Sequence, residues 1–93
     1  IGDFLVIHVP GHTPGSISLY NEKNGVMFVG DLLRFMNGNI QGPPEQFTLD
    51  MNLAKKSIEK ILNYDFKIML SGHGDPLREN AREKVKEFYE KFR

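Results

Sequence analysis

Val9-Pro10-Gly11-His12-Thr13-Pro14-Gly15-Ser16 closes one apolar run, precedes another, and sets a histidine among glycines and prolines at what reads as a strand end. The same arrangement returns twice. Gly30-Asp31 follows the run Val26 to Val29, and Ser71-Gly72-His73-Gly74 follows Lys67 to Leu70. Imidazole nitrogens and carboxylates are donors that zinc accepts, and glycine turns let such side chains converge without a backbone clash. His12, Asp31 and His73 are therefore the candidate metal ligands. They form only part of a site, because three ligands do not complete a catalytic dinuclear centre.

Outward from these loops, Phe4 to Val9 is a nearly continuous apolar run holding His8, which predicts a strand covered on both faces. Ser16 to Tyr20 alternates polar and apolar, and Asn24-Gly25 before Val26 predicts a hairpin with the two strands antiparallel. Leu32 to Phe47 holds Asn37-Gly38-Asn39, Gln41-Gly42 and Pro43-Pro44, and reads as one long irregular lid or substrate loop. Asp50 is placed to cap a helix whose inward stripe is Leu53, Ala54, Ile58, Ile61 and Leu62. Lys67 to Leu70 is a short strand, and Pro76 reads as the start of a last helix with Ala81, Val85, Phe88, Tyr89 and Phe92 inward. Three strands, a helix, a strand and a helix predict a layered α/β unit, taken as a single domain over 1–93.

Composition narrows the functions. A chain of 93 residues buries roughly 60% of the surface its unfolded form exposes, so it is marginally stable alone and a covering partner matters. Twelve basic residues balance twelve acidic ones, which leaves no broad positive field for nucleic acid. The absence of cysteine removes disulfides, thiolate metal sites and cysteine nucleophiles, and agrees with a reducing, cytoplasmic setting. No apolar stretch approaches the roughly 20 residues of a membrane helix, so no membrane partner is expected. A start at Ile1-Gly2-Asp3 that runs at once into a strand pattern reads as a fragment of a longer protein.

The runs Val9 to Ser16, Phe28-Val29-Gly30-Asp31-Leu32-Leu33 and Leu70-Ser71-Gly72-His73-Gly74 resemble the later motifs of the metallo-β-lactamase fold hydrolases in order and spacing. The resemblance spans nearly the whole chain. It implies that His12 binds a first metal, that Asp31 bridges both metals and that His73 binds the second, with zinc in first place and iron or manganese as alternatives. The family's first motif, His-x-His-x-Asp-His, has no counterpart here. The chain thus resembles the carboxy-terminal half of an αββα sandwich, a mixed sheet with two helices on one face. The resemblance implies a metal-dependent hydrolase of a small-molecule substrate that is inactive as an isolated fragment and needs the missing amino-terminal half, or a second copy, over its sheet. A non-catalytic half-domain that dimerises through that sheet is the alternative.

Other readings attach to the same residues. Asp31 can instead cap the turn before Leu32 and Leu33. His8 reads as a core histidine, or one bonded behind a ligand, rather than a ligand itself. A serine hydrolase built on Ser16 or Ser71 lacks the Gly-x-Ser-x-Gly elbow, and the Gly11 to Ser16 loop lacks the Gly-Lys-Ser/Thr ending of a phosphate cradle. Thr13 and Ser16 are expected to hydrogen-bond the loop of His12, and Asp75 to cap the helix at Pro76. Phe35, Met36, Ile40 and Phe47 either line a substrate pocket or anchor their loop to the core.

Overall fold

Alternation along four strands decides the architecture. In the computed structural model, which describes residues 3–11 and 15–93 apart from the Phe47 side chain, the main sheet is built from β1 (Leu5–His8), β2 (Ile17–Asn21), β3 (Val26–Gly30) and β6 (Ile68–Ser71). Its order is β1-β2-β3-β6, with β1, β2 and β3 antiparallel in turn and β6 parallel to β3. The hairpin expected at Asn24-Gly25 is present. Gly25 takes a positive φ of 66°, and its carbonyl receives Lys67 N–H (2.7 Å) and Ile68 N–H (3.0 Å), which starts β6 alongside β3.

Successive side chains of a strand point to opposite faces. Ile7, Ser18, Tyr20, Met27, Val29 and Met69 lie on the inner face and are buried. Against them pack α1 (Met51–Ile61), through Ala54, Ile58 and Ile61, and α2 (Ala81–Phe92), through Ala81 and Val85, with Phe66 filling the core beside them. The fold is thus a mixed sheet with two helices on one face, as expected. Asp50 caps α1, its carboxylate accepting from Leu53 N–H at 3.0 Å. Ser57 rather than Leu53 completes the buried stripe of α1, for Leu53 is 40% exposed. Among the described residues no helix is long and apolar enough to cross a membrane.

Three expectations are corrected. β1 is an edge strand and is not covered on both faces: Phe4, Val6 and His8 share the outer face, which no helix covers, and all three are exposed. His8 is accordingly no core histidine. The segment from Leu32 to Phe47 is not one irregular loop, since β4 (Arg34–Met36) and β5 (Asn39–Gln41) pair antiparallel within it, followed by a 3₁₀ turn at Glu45–Phe47. Asn37 and Gly38 both take positive φ (53° and 79°), the requirement of a tight two-residue hairpin turn. Finally, the last helix begins at Ala81 and not at Pro76. Leu77 is held first by paired backbone hydrogen bonds to Met69 (2.8 and 2.9 Å), which keep the chain extended there. Asp75 therefore caps no helix; its N–H donates to the Phe35 carbonyl at 2.7 Å.

Candidate metal centre

Strand direction brings the candidate loops to one rim. β1, β3 and β6 run the same way, so the segments leaving their carboxyl ends emerge from one edge of the sheet. Those segments are Val9-Pro10-Gly11 leading to His12, Asp31, and Gly72-His73-Gly74. The carboxyl ends of strands are where open α/β sheets place their ligands.

The β3 and β6 loops meet. Gly72 N–H donates to the Gly30 carbonyl at 2.8 Å, carrying the parallel ladder one step past the strand ends. Asp31 Oδ1 then stands 3.2 Å from His73 Nδ1. Gly72 makes this possible, because a Cβ there would lie 3.0 Å from that same carboxylate oxygen. Gly74 turns with φ 104° tight against β4, where a Cβ would come within 2.8 Å of the Phe35 carbonyl. Ser71 donates its hydroxyl to the His73 carbonyl at 2.6 Å and closes the loop on itself. Both acidic and imidazole side chains are open to solvent, 54% exposed for Asp31 and 78% for His73, so an ion or substrate has access.

A carboxylate and an imidazole are a fitting donor pair for zinc or iron. Two ligands of one tetrahedral zinc stand about 3.3 Å apart given the usual Zn–N and Zn–O lengths, close to the separation seen here. Among the described residues no group of three His, Cys, Asp or Glu side chains is gathered. His12 and Thr13 lie outside the described residues. Around them, Val9 N–H donates to the Ser16 carbonyl at 2.9 Å and ties the two ends of their loop together.

The other readings sort by geometry. Leu32 N–H goes to the Val29 carbonyl (3.2 Å), so backbone closes the turn after Asp31 while its carboxylate faces His73. The Ser71 hydroxyl is spent on a carbonyl and makes no pair with an imidazole nitrogen. Phe35 and Ile40 pack against the core and also line a shallow groove with Phe88, Lys84 and Lys91 of α2. The reading of Phe47 as a pocket residue falls outside the described side chains. The role of Ser71 as a loop brace was missed in the sequence, where a serine beside glycine carries no signal that its hydroxyl donates to the carbonyl two residues on.

Comparison with known proteins identifies the family. The family model described as "Metallo-beta-lactamase superfamily" matches residues 1–73. "Probable metallo-hydrolase YflN" of Bacillus subtilis (strain 168) is 32% identical over 88 residues, covering 83% of this chain and 33% of the relative. A metallo-beta-lactamase family protein from Thermus thermophilus superposes with a TM-score of 0.71 at 21% identity, over 96% of this chain and 30% of that one. TTHA1623, solved in a di-iron-bound form, superposes with a TM-score of 0.66 at 27% identity, over 82% of this chain and 37% of its own. The chain spans about a third of the length of the curated relatives it matches. With a helix-backed mixed sheet and a family match over most of its residues, the chain belongs to the metallo-beta-lactamase superfamily.

Proposed function

We propose that this chain carries the later ligand motifs of a dinuclear metal-dependent hydrolase, with His12 on a first metal, Asp31 shared by both and His73 on the second. Zinc suits these donors best, and iron or manganese are the alternatives. The observation that carries this reading is the meeting of Asp31 and His73 at 3.2 Å on the rim to which the His12 loop also leads. Metal held there would supply an activated water near neutral pH and polarise the bond to be cut, which makes hydrolysis the reaction class. The chain's own groups supply the framework. Ser71 braces the His73 loop, Gly72 leaves room for the Asp31 carboxylate, and the exposed rim admits a small-molecule substrate.

The partner in this reading is the other half of an αββα sandwich or a second copy of the chain. Support comes from the outer sheet face, where Val6, Ile17, Phe28 and Leu70 are exposed, and from the chain's span of about a third of its relatives. Without His-x-His-x-Asp-His, the 93 residues alone are expected to be inactive. The same open face favours a second reading, a non-catalytic half-domain that associates through its sheet.

Metal analysis after purification without chelator tests the first reading. Bound zinc that is lost in Asp31→Ala and His73→Ala supports it. Protein that takes up no zinc, and whose melting temperature does not move when zinc is added, would falsify it and leave the half-domain, for which sedimentation reports association.

A further inference from the structure

Helix α1 does more than cover the sheet. Three donors on it and its cap seize three carbonyls in the four residues that leave β1: Lys60 Nζ bonds His8 O at 2.6 Å, Ser57 Oγ bonds Pro10 O at 2.7 Å, and Asp50 N–H bonds Gly11 O at 2.9 Å. The carbonyls are available because β1 is an edge strand that ends at His8. Gly11 then lies so close to the helix that a Cβ, at its φ of 136°, would fall 2.3 Å from Ala54 N and 2.5 Å from Ala54 Cα.

Ser57 is the telling residue. It is 2% exposed on the apolar face of α1, where leucine or alanine would fill space without a polar atom to satisfy. A helical serine commonly turns its hydroxyl back to the carbonyl one turn earlier. This one reaches out of the helix to a residue 47 positions away. Once buried, its hydroxyl and the Pro10 carbonyl each need the other, since an unpaired buried polar group is costly.

We propose that α1 is the clamp that fixes where the His12 loop leaves the sheet, with Ser57 its positioning residue and Lys60 the outer jaw. The clamp itself stands on described contacts; its consequence for metal rests on the reading of His12 as a ligand. Asp31 and His73 are held by β3, β6 and β4, and they owe nothing to this contact set.

Amide hydrogen exchange by NMR on the full 93-residue chain separates a clamp from general stabilisation. In Ser57→Ala, exchange at the amides whose bonds tie this exit, Asp50 N–H to the Gly11 carbonyl and Val9 N–H to the Ser16 carbonyl, should rise about five- to tenfold while Gly72 and Leu32 stay at the wild-type rate, a local effect of the size of one lost hydrogen bond. Lys60→Met, on the surface and safe for folding, should give about two- to fivefold at the same amides, and Lys60→Arg should restore them. Exchange that rises equally at every amide, or that does not change at Val9 and Asp50, overturns the proposal. Should Ser57→Ala fail to fold, the Lys60 pair decides alone. Cobalt(II) titration adds the link to the site: if the wild type binds, Ser57→Ala should weaken binding about tenfold, and equal binding overturns the positioning role. A wild type that binds no cobalt counts against the metal reading only, and the exchange rates still judge the clamp.

Discussion

The two faces of the main sheet carry the same kinds of residue and meet different fates. On the inner face, Ile7, Tyr20, Met27 and Met69 lie under two helices and are at most 6% exposed. One position along each strand, Val6, Leu19, Phe28 and Leu70 line up across the sheet in register, and three of the four are more than a third exposed. A sheet apolar on both faces is one built for a layer on each side. The inner face stores the fold's stability, and the outer one is where the proposed partner would sit.

Charge placement should divide the faces most sharply. Met27→Asp sets an unpaired carboxyl in the core and should abolish folding by circular dichroism, whereas its neighbour Phe28→Asp should keep the fold and reduce self-association in sedimentation. Equal damage from the two would break the comparison, because it would make the outer face core as well. Gly11→Ala tests how tightly α1 seats on the covered side. Its methyl meets Ala54 backbone, and a loss of about 3 kcal/mol in urea unfolding is expected. Removing the α1 cap with Asp50→Ala should cost about 1 kcal/mol by the same measurement, and Asp50→Asn should recover most of it.

Alkaline titration should show the smallest difference. Burial, then the nearby Glu22 and Asp65, raise the Tyr20 phenol above its ordinary 10.0, while hydrogen bonding to Glu59 raises Tyr89 at the margin of the core. Both are favoured in the neutral form by folding. Their contribution is fully present below about pH 10 and is lost as pH rises through the higher folded-state values. Melting temperature should therefore fall above about pH 10 in the wild type and fall less in Tyr20→Phe. An unchanged slope in that variant would show that Tyr20 is not held neutral by the covered face.

Much of this architecture was legible where periodicity and punctuation agree. The β2–β3 hairpin follows from Asn24-Gly25 and the α1 start from Asp50, because a positive φ and an N-cap are local requirements met by local residues. The β4–β5 hairpin went unread although Asn37-Gly38 carries the same turn signal. Strands of three residues leave too little alternation to recognise, and what holds them is tertiary: Phe35 and Ile40 packed against the core and the seat of β4 beside the His73 loop. The start of α2 was misplaced because Pro76 satisfies a helix-start rule, while Leu77 is held by Met69, a partner no local window contains. Similarly, the apolar run at Phe4 to Val9 announces a strand but not whether anything lies on its second face.

By itself, the sequence determined which residues are the candidate ligands and in what order: His12, Asp31 and His73, each beside glycine after an apolar run, because donor type and turn propensity are properties of the residues themselves. Only the tertiary structure decided that Asp31 and His73 stand 3.2 Å apart, that α1 grips the exit of β1, and that one face of the sheet is left open. Those facts depend on which strands become neighbours and in which direction they run, and that is settled by burying Met27 and Met69 together under two helices.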